Sequence, residues 1–171
     1  VYLLQEQGIT NFSVNIYGAN LEQQPEEFQE EFKLFHEKVR DRVLLRGSYR
    51  QTELETLMQE NDWVVVPSIW WENSPVVIQE ALYYGRPVIG SDIGGVAEKT
   101  ETRGGFTFTA RSESSLAGVM EKAIGNSALH QALKQVIPPP MSAVDCAKTH
   151  INLYQTLFCP IHSTLAQAIP H

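Results

Sequence analysis

Apolar and polar positions along the chain fall into short runs that alternate between a period of two and a period near 3.6. Residues Phe12–Gly18 alternate apolar and polar side chains and end in glycine, which predicts a strand closed by a turn. Over Gln24–Val39, Phe28, Phe32 and Phe35 share one helical face, and Glu26, Glu27, Glu30 and Glu31 read as a solvated face. Arg42–Arg46 predicts a short strand, and Thr52–Glu60 a helix opened by a Thr52/Glu55 capping box. Trp63–Pro67 is continuously apolar, as central strands buried on both faces of a parallel sheet are. A helix is expected from Pro75 to near Gly85, with Ser74 as its N-cap and Gly85 as its stop. Pro87–Ser91 and Gly105–Thr109 predict two more strands. Helices are expected over Glu113–Ile124 and Ala128–Val136. After a break at Pro138–Pro140, a last helix is expected over Ser142–Phe158.

Strands that alternate with helices predict an α/β fold: a doubly wound, Rossmann-like parallel sheet with helices on both faces. Residues 1–158 form the expected domain, and 159–171 a loosely held C-terminal tail. Ligands of such sheets bind at the carboxyl ends of the strands. The chemistry is therefore expected in the loops after Gly18, Arg46, Pro67 and Ser91.

Charge narrows the classes of partner. The 171 residues carry 20 Asp+Glu against 13 Lys+Arg, a formal net charge of -7. That balance argues against nucleic acid and against an anionic lipid surface, while leaving room for a local phosphate pocket. Cys146 and Cys159 lack zinc-site spacing and imply no disulfide framework, so a reduced, cytoplasmic setting is expected. His36, His130, His150, His162 and His171 are scattered, and no metal site is expected. No stretch has the length of a membrane span. The first residue is not Met, which suggests a piece of a longer protein.

The richest segment runs from Pro67 to Gly95 and reads as strand, loop, helix, glycine stop, strand, Gly-Gly loop. A helix that opens at the carboxyl edge of a sheet points free N–H groups and its positive dipole end at an anion, here a phosphate. Glu72 precedes that helix and Glu80 lies near its second turn. Carboxylates accept charge-assisted bonds from sugar hydroxyls, so this pair could bracket a phosphate with a ring on each side. Spacing alone favours the plainer reading, ordinary helix-terminal or surface glutamates.

The segment resembles the Glu-x7-Glu signature of the retaining GT-B glycosyltransferases of the group 1 family. The match comprises an apolar strand, Pro67-Ser68, an aromatic, Glu72, seven residues, Glu80-Ala81, Gly85-Arg86-Pro87-Val88-Ile89, then Gly94-Gly95 and Glu98. Arg42–Tyr49 and Arg103–Phe108 resemble two further strands of that family, and the similarity covers about residues 10–125. The resemblance implies half of a GT-B architecture: the C-terminal domain that binds a nucleotide diphosphate sugar. The parent enzyme would pass the sugar to a glycan or lipid-linked acceptor, with retention and without a metal or other cofactor. Glu72 and Glu80 would be its catalytic residues, Glu72 on the transferred sugar and Glu80 on the ribose. Backbone amides of Asn73, Ser74, Val76 and Val77 would face sugar and pyrophosphate. Pro75 stands where the family often has glycine, which removes one donor.

The same resemblance places Gly18 near the donor phosphates, Ser48 and Tyr49 near the base, and Gly94 and Gly95 near the donor. A turn glycine, a surface Tyr49 and a tight turn at the Gly-Gly pair are the plain alternatives. Trp70 and Trp71 are expected to line the cleft, one of them packing in the core. Arg86 and Arg103 offset phosphate charge or are ordinary surface residues. The family's first strand, with its Arg and Lys-Gly, and the N-terminal acceptor-binding domain have no counterpart in the sequence. The chain alone is therefore expected to be inactive, and its parent is expected in the cytoplasm, at most peripheral on the inner face of the membrane. Three other readings stand beside this one: a non-catalytic nucleotide-binding module, a sugar-nucleotide epimerase of the same architecture, and a glycoside hydrolase using the two glutamates as paired carboxylates.

Overall fold

The computed structural model describes residues 1–102, 104–138 and 141–165, the last seven of these by backbone alone. The chain runs α1 (Tyr2–Glu6), β1 (Val14–Tyr17), α2 (Glu26–Val39), β2 (Val43–Gly47), α3 (Leu54–Glu60), β3 (Val64–Val66) and α4 (Val76–Tyr83). It continues with β4 (Val88–Ser91), α5 (Gly94–Glu101), β5 (Phe106–Phe108), α6 (Glu113–Ala123), α7 (Ser127–Val136) and α8 (Ala143–Leu165). Every strand pairing among the described residues is parallel: β1 with β2, and β3 with β4 with β5.

Period-two alternation sorts the side chains of β3 and β4 onto two faces. Val66 and Val88 join Leu54, Met58, Ile78, Leu82 and Val96, a cluster built with α3, α4 and α5. Ile89 joins Phe108 and Ala123 on the other face, with Trp63, Val65, Leu116 and Met120 packed against them. The sheet is thus covered on both sides, the α/β arrangement expected from the alternating pattern. Among the described strands, β4 alone is buried along its whole length, since it has a strand on each side and helices on both faces. The apolar run of β3 was expected to be equally central. Instead it edges the three-stranded sheet and is half-buried at Val64 and Val65.

Three local expectations are corrected. Residues 94–101 form a helix rather than a Gly-Gly loop. The helix expected from Thr52 opens with a short 3-10 turn at Gln51–Glu53, and its box is made two residues earlier, the Arg50 N–H donating to the Glu53 carboxylate at 2.7 Å. The last helix continues to Leu165 rather than ending at 158. No glycine intervenes in that stretch, and a single proline removes one backbone donor without ending the run. Helix α2 carries its phenylalanines on one side but buries none of its residues.

Backbone contacts group Val1–Pro138 as one compact unit and Pro139–His171 as another, whereas the sequence pattern carries the first domain to 158. In the second unit, Ser142 opens α8: its hydroxyl accepts from the Asp145 N–H at 3.1 Å. Pro139, Pro140 and the end of the expected tail, 166–171, lie outside the described residues.

Candidate functional site

The segment after β3 is anchored through both a side chain and the backbone. Ser68 follows the strand, and its hydroxyl donates a hydrogen bond to Glu72 Oε1. Four residues later the main chain is gripped: the Gly95 N–H donates to the Glu72 carbonyl at 2.7 Å. The opening of α5 thus spends one of its free amides on this loop. A side chain at Gly95 would overlap the Asn73 carbonyl oxygen and come within 2.7 Å of the Glu72 carbonyl oxygen. Gly94 has φ +51 and lies under the Trp71 ring, where a methyl would sit 2.9 Å from Cε3. The Gly-Gly pair therefore lets a helix terminus and a loop touch backbone to backbone. It is neither a simple turn nor a pair of free donors.

The next helix, α4, begins at Val76, one residue later than expected. Pro75 is its N-cap, with φ -59 and ψ 122, and Ser74 makes no capping bond. The proline ring fixes φ, while the extended ψ keeps this residue outside the helix. The first helical bond at this end runs from the Ile78 N–H to the Pro75 carbonyl at 3.2 Å. The N–H groups of Val76 and Val77 precede it and have no acceptor within the helix. Val76 is exposed, Val77 is half-buried, and Asn73 and Ser74 are exposed. On the opposite side of α4, Ile78, Ala81 and Leu82 are buried in the core, so the accessible side of the helix is fixed by packing.

Glu80 lies on that accessible side. Its Oε1 accepts from Gln51 Nε2 at 3.3 Å, which ties α4 to the loop after β2. That loop carries Ser48 and Tyr49, both exposed. The Tyr49 ring meets Tyr17 edge to face, with centroids 6.0 Å apart. Gly18, next to Tyr17, is exposed with φ +66 and has open space where a side chain would be. Glu80, the 48–51 loop and the end of β1 thus form one linked series.

The expectation of a core tryptophan fails, and Arg86 is placed away from the carboxyl-edge loops. Trp70 and Trp71 are 66% and 83% exposed, so neither is in the core; both ride on a loop held by its backbone. Arg86 precedes β4 and lies at its amino end, where its N–H bonds the Ala81 carbonyl at 2.7 Å, so the strand separates it from the carboxyl-edge loops. Arg103 lies outside the described residues. Sequence pattern alone missed α5 as the holder of Glu72. The clue present was Ile93-Gly94-Gly95-Val96-Ala97-Glu98, in which Ile93, Val96 and Ala97 have the i, i+3, i+4 spacing of one helical face but enclose two poor helix formers.

Residues 1–137 match the model of the family described as glycosyl transferases group 1. The chain belongs to that family. No curated protein sequence matches it. Among solved structures, sucrose-phosphate synthase of Thermosynechococcus elongatus aligns with a TM-score of 0.70 at 20% identity, over 93% of this chain and 42% of that one. Starch synthase IV of Arabidopsis thaliana, bound to ADP and acarbose, aligns with a TM-score of 0.59 at 21% identity, over 77% and 30%. Anabaena HepE in complex with UDP-glucose aligns with a TM-score of 0.57 at 22% identity, over 78% and 45%. These likenesses show the Rossmann-like fold of GT-B glycosyltransferases. The chain spans less than half the length of each of these three proteins.

Other features of this group 1 family member lie apart from the loop. A groove of about 250 Å³ is lined by Ile16, Phe32, Phe35, His36, Val39 and Val43, and none of the carboxyl-edge residues borders it. Among the described residues, no group of three or more His, Cys, Asp or Glu is placed to share a metal ion, and no helix is long and apolar enough to cross a membrane.

Proposed function

We propose that this chain is the donor-binding, C-terminal half of a retaining glycosyltransferase. It holds a nucleotide diphosphate sugar, and the parent enzyme passes the sugar to a glycan or lipid-linked acceptor. The observation that carries the reading is the pairing of a doubly anchored Glu72 with the unpaired opening amides of α4, while Glu80 faces the loop of Ser48 and Tyr49.

In this reading the diphosphate lies against the Val76 and Val77 amides, with Asn73 and Ser74 on the sugar side. Pro75 contributes no donor. Glu72 accepts from hydroxyls of the transferred sugar and Glu80 from the ribose. The base lies toward Ser48 and Tyr49, and Gly18 leaves room for the phosphates. Gly94 and Gly95 act on the donor through Glu72, whose backbone they hold. As the glycosidic bond breaks, charge grows on the departing phosphate, and preorganised amides stabilise it without reorganising. The dipole of one helix contributes only about 0.3–1 kcal/mol, so direct hydrogen bonds supply most of the effect. No enzyme nucleophile and no metal enter this scheme. The acceptor is bound by an N-terminal domain of the same protein, and transfer takes place in the cleft between the halves. The setting is the cytoplasm, or the inner face of the membrane with the parent bound peripherally.

Calorimetric titration of the chain with UDP, GDP and ADP, and with the glucose or mannose form of each, tests the proposal. One nucleotide is expected to bind, and its sugar form to bind more tightly. Glu72→Ala removes that gain and leaves the nucleotide itself unaffected. Equal loss for nucleotide and sugar nucleotide contradicts the assigned role of Glu72, and absence of binding by all of them contradicts the function.

A further inference from the structure

Glu72 is fixed at two points of different kinds, one on its main chain and one on its side chain. Its carbonyl accepts from the Gly95 N–H at 2.7 Å, which sets the position of its main chain. Its Oε1 accepts from the Ser68 hydroxyl, which sets the direction of its carboxylate. Oε2 has no hydrogen-bond partner among the described residues. A carboxylate has about four acceptor sites, so the serine occupies one and leaves the others free. Glutamate is among the side chains with most rotamer freedom to lose on ordering. A glutamate that is already ordered binds a hydroxyl without that loss.

We propose that Ser68 is a positioning residue for Glu72: its hydroxyl pre-orders the carboxylate so that Oε2 faces the hydroxyls of the donor sugar. The α5 opening cannot do this alone, because a main-chain anchor leaves every side-chain torsion of Glu72 free. The proposal rests on the reading of Glu72 as the sugar-binding carboxylate, and it assigns Ser68 no contact with the ligand. Ser68 acts on the sugar and not on the nucleotide, because its hydroxyl is engaged with Glu72.

Two measurements test it, one without ligand. Three-bond couplings of the ligand-free chain report the Glu72 side-chain torsions. The wild type and Ser68→Thr are expected to hold one rotamer, and Ser68→Ala to average among several. Averaging in the wild type, or a single rotamer in Ser68→Ala, overturns the proposal. Thermal unfolding of Ser68→Ala near the wild-type temperature shows that the fold is intact.

The second measurement compares UDP-glucose with UDP, and ADP-glucose with ADP, by calorimetry. Ser68→Ala is expected to weaken the sugar nucleotide about three- to tenfold, the size of one hydrogen bond, and to leave the nucleotide unchanged. Ser68→Thr restores the affinity. In a Glu72→Ala background, where the acceptor is gone, Ser68→Ala has little further effect. Equal weakening of both ligands, or additive losses, overturns the proposal. If no nucleotide binds the wild-type chain, the functional reading fails, and the couplings still decide whether Ser68 orders Glu72.

Discussion

The main-chain amide of Gly95 donates a 2.7 Å hydrogen bond to the carbonyl of Glu72, so the first turn of α5 holds the loop that carries the candidate sugar-binding carboxylate. This contact spans the whole of α4 and β4 in sequence. The approach requires glycine at position 95, where a side chain would overlap the Asn73 carbonyl.

Gly95→Ala tests that contact. The added methyl has no space, and overpacking of this kind costs about 1–3 kcal/mol. Chemical denaturation is expected to show that loss, and sugar-nucleotide affinity is expected to fall with it as the Glu72 loop is pushed away.

Gly118→Ala makes the opposite prediction. Gly118 lies inside α6, and a methyl added there would meet no atom within 4 Å. Alanine at this position is expected to stabilise the chain by about 0.5–1 kcal/mol with no change in ligand affinity. Together the two substitutions separate the close approach at Gly95 from any general effect of replacing glycine.

Ser112 caps α6, its hydroxyl accepting from the Ser115 N–H at 3.2 Å. Ser112→Ala is expected to cost about 1 kcal/mol in the same denaturation measurement, and to leave binding untouched because α6 packs on the other face of the sheet from α4.

Glu80 predicts a preference for ribose. Bonds to a charged group are worth about 1.5–3 kcal/mol, so the wild type should bind a ribonucleotide about tenfold or more above its 2′-deoxy form. Glu80→Ala should erase that preference. Calorimetry with the tightest of UDP, GDP and ADP, against its deoxy form, measures both.

Much of this site could be read from residue order because its parts are local. Strand, loop and helix from Val64 to Tyr83 follow from an apolar run, a loop closed by Pro75 and a glycine stop. The start of α4 is expected one residue too early: Ser74-Pro75 looks like a cap followed by a first turn, and only the observed ψ of Pro75 puts that residue outside the helix. The opening of α5 was illegible for a different reason. Two glycines disfavour a helix locally, and what compensates is a hydrogen bond to Glu72 and the packing of Val96 against β4 and α4. The exposure of Trp70 and Trp71 was equally hidden. Composition puts large aromatics in cores, but this loop is held by backbone and carboxylate contacts, which leaves its indoles outside.

The central claim is that the Val76 and Val77 amides take the diphosphate, and amide chemical shifts test it most directly. On titration with UDP, GDP and ADP to millimolar concentration, the account predicts the largest shifts at Val76 and Val77, with smaller ones from Asn73 to Glu80. Shifts confined to residues of the apolar groove, such as Ile16 and Val43, or no shifts at all, would contradict it.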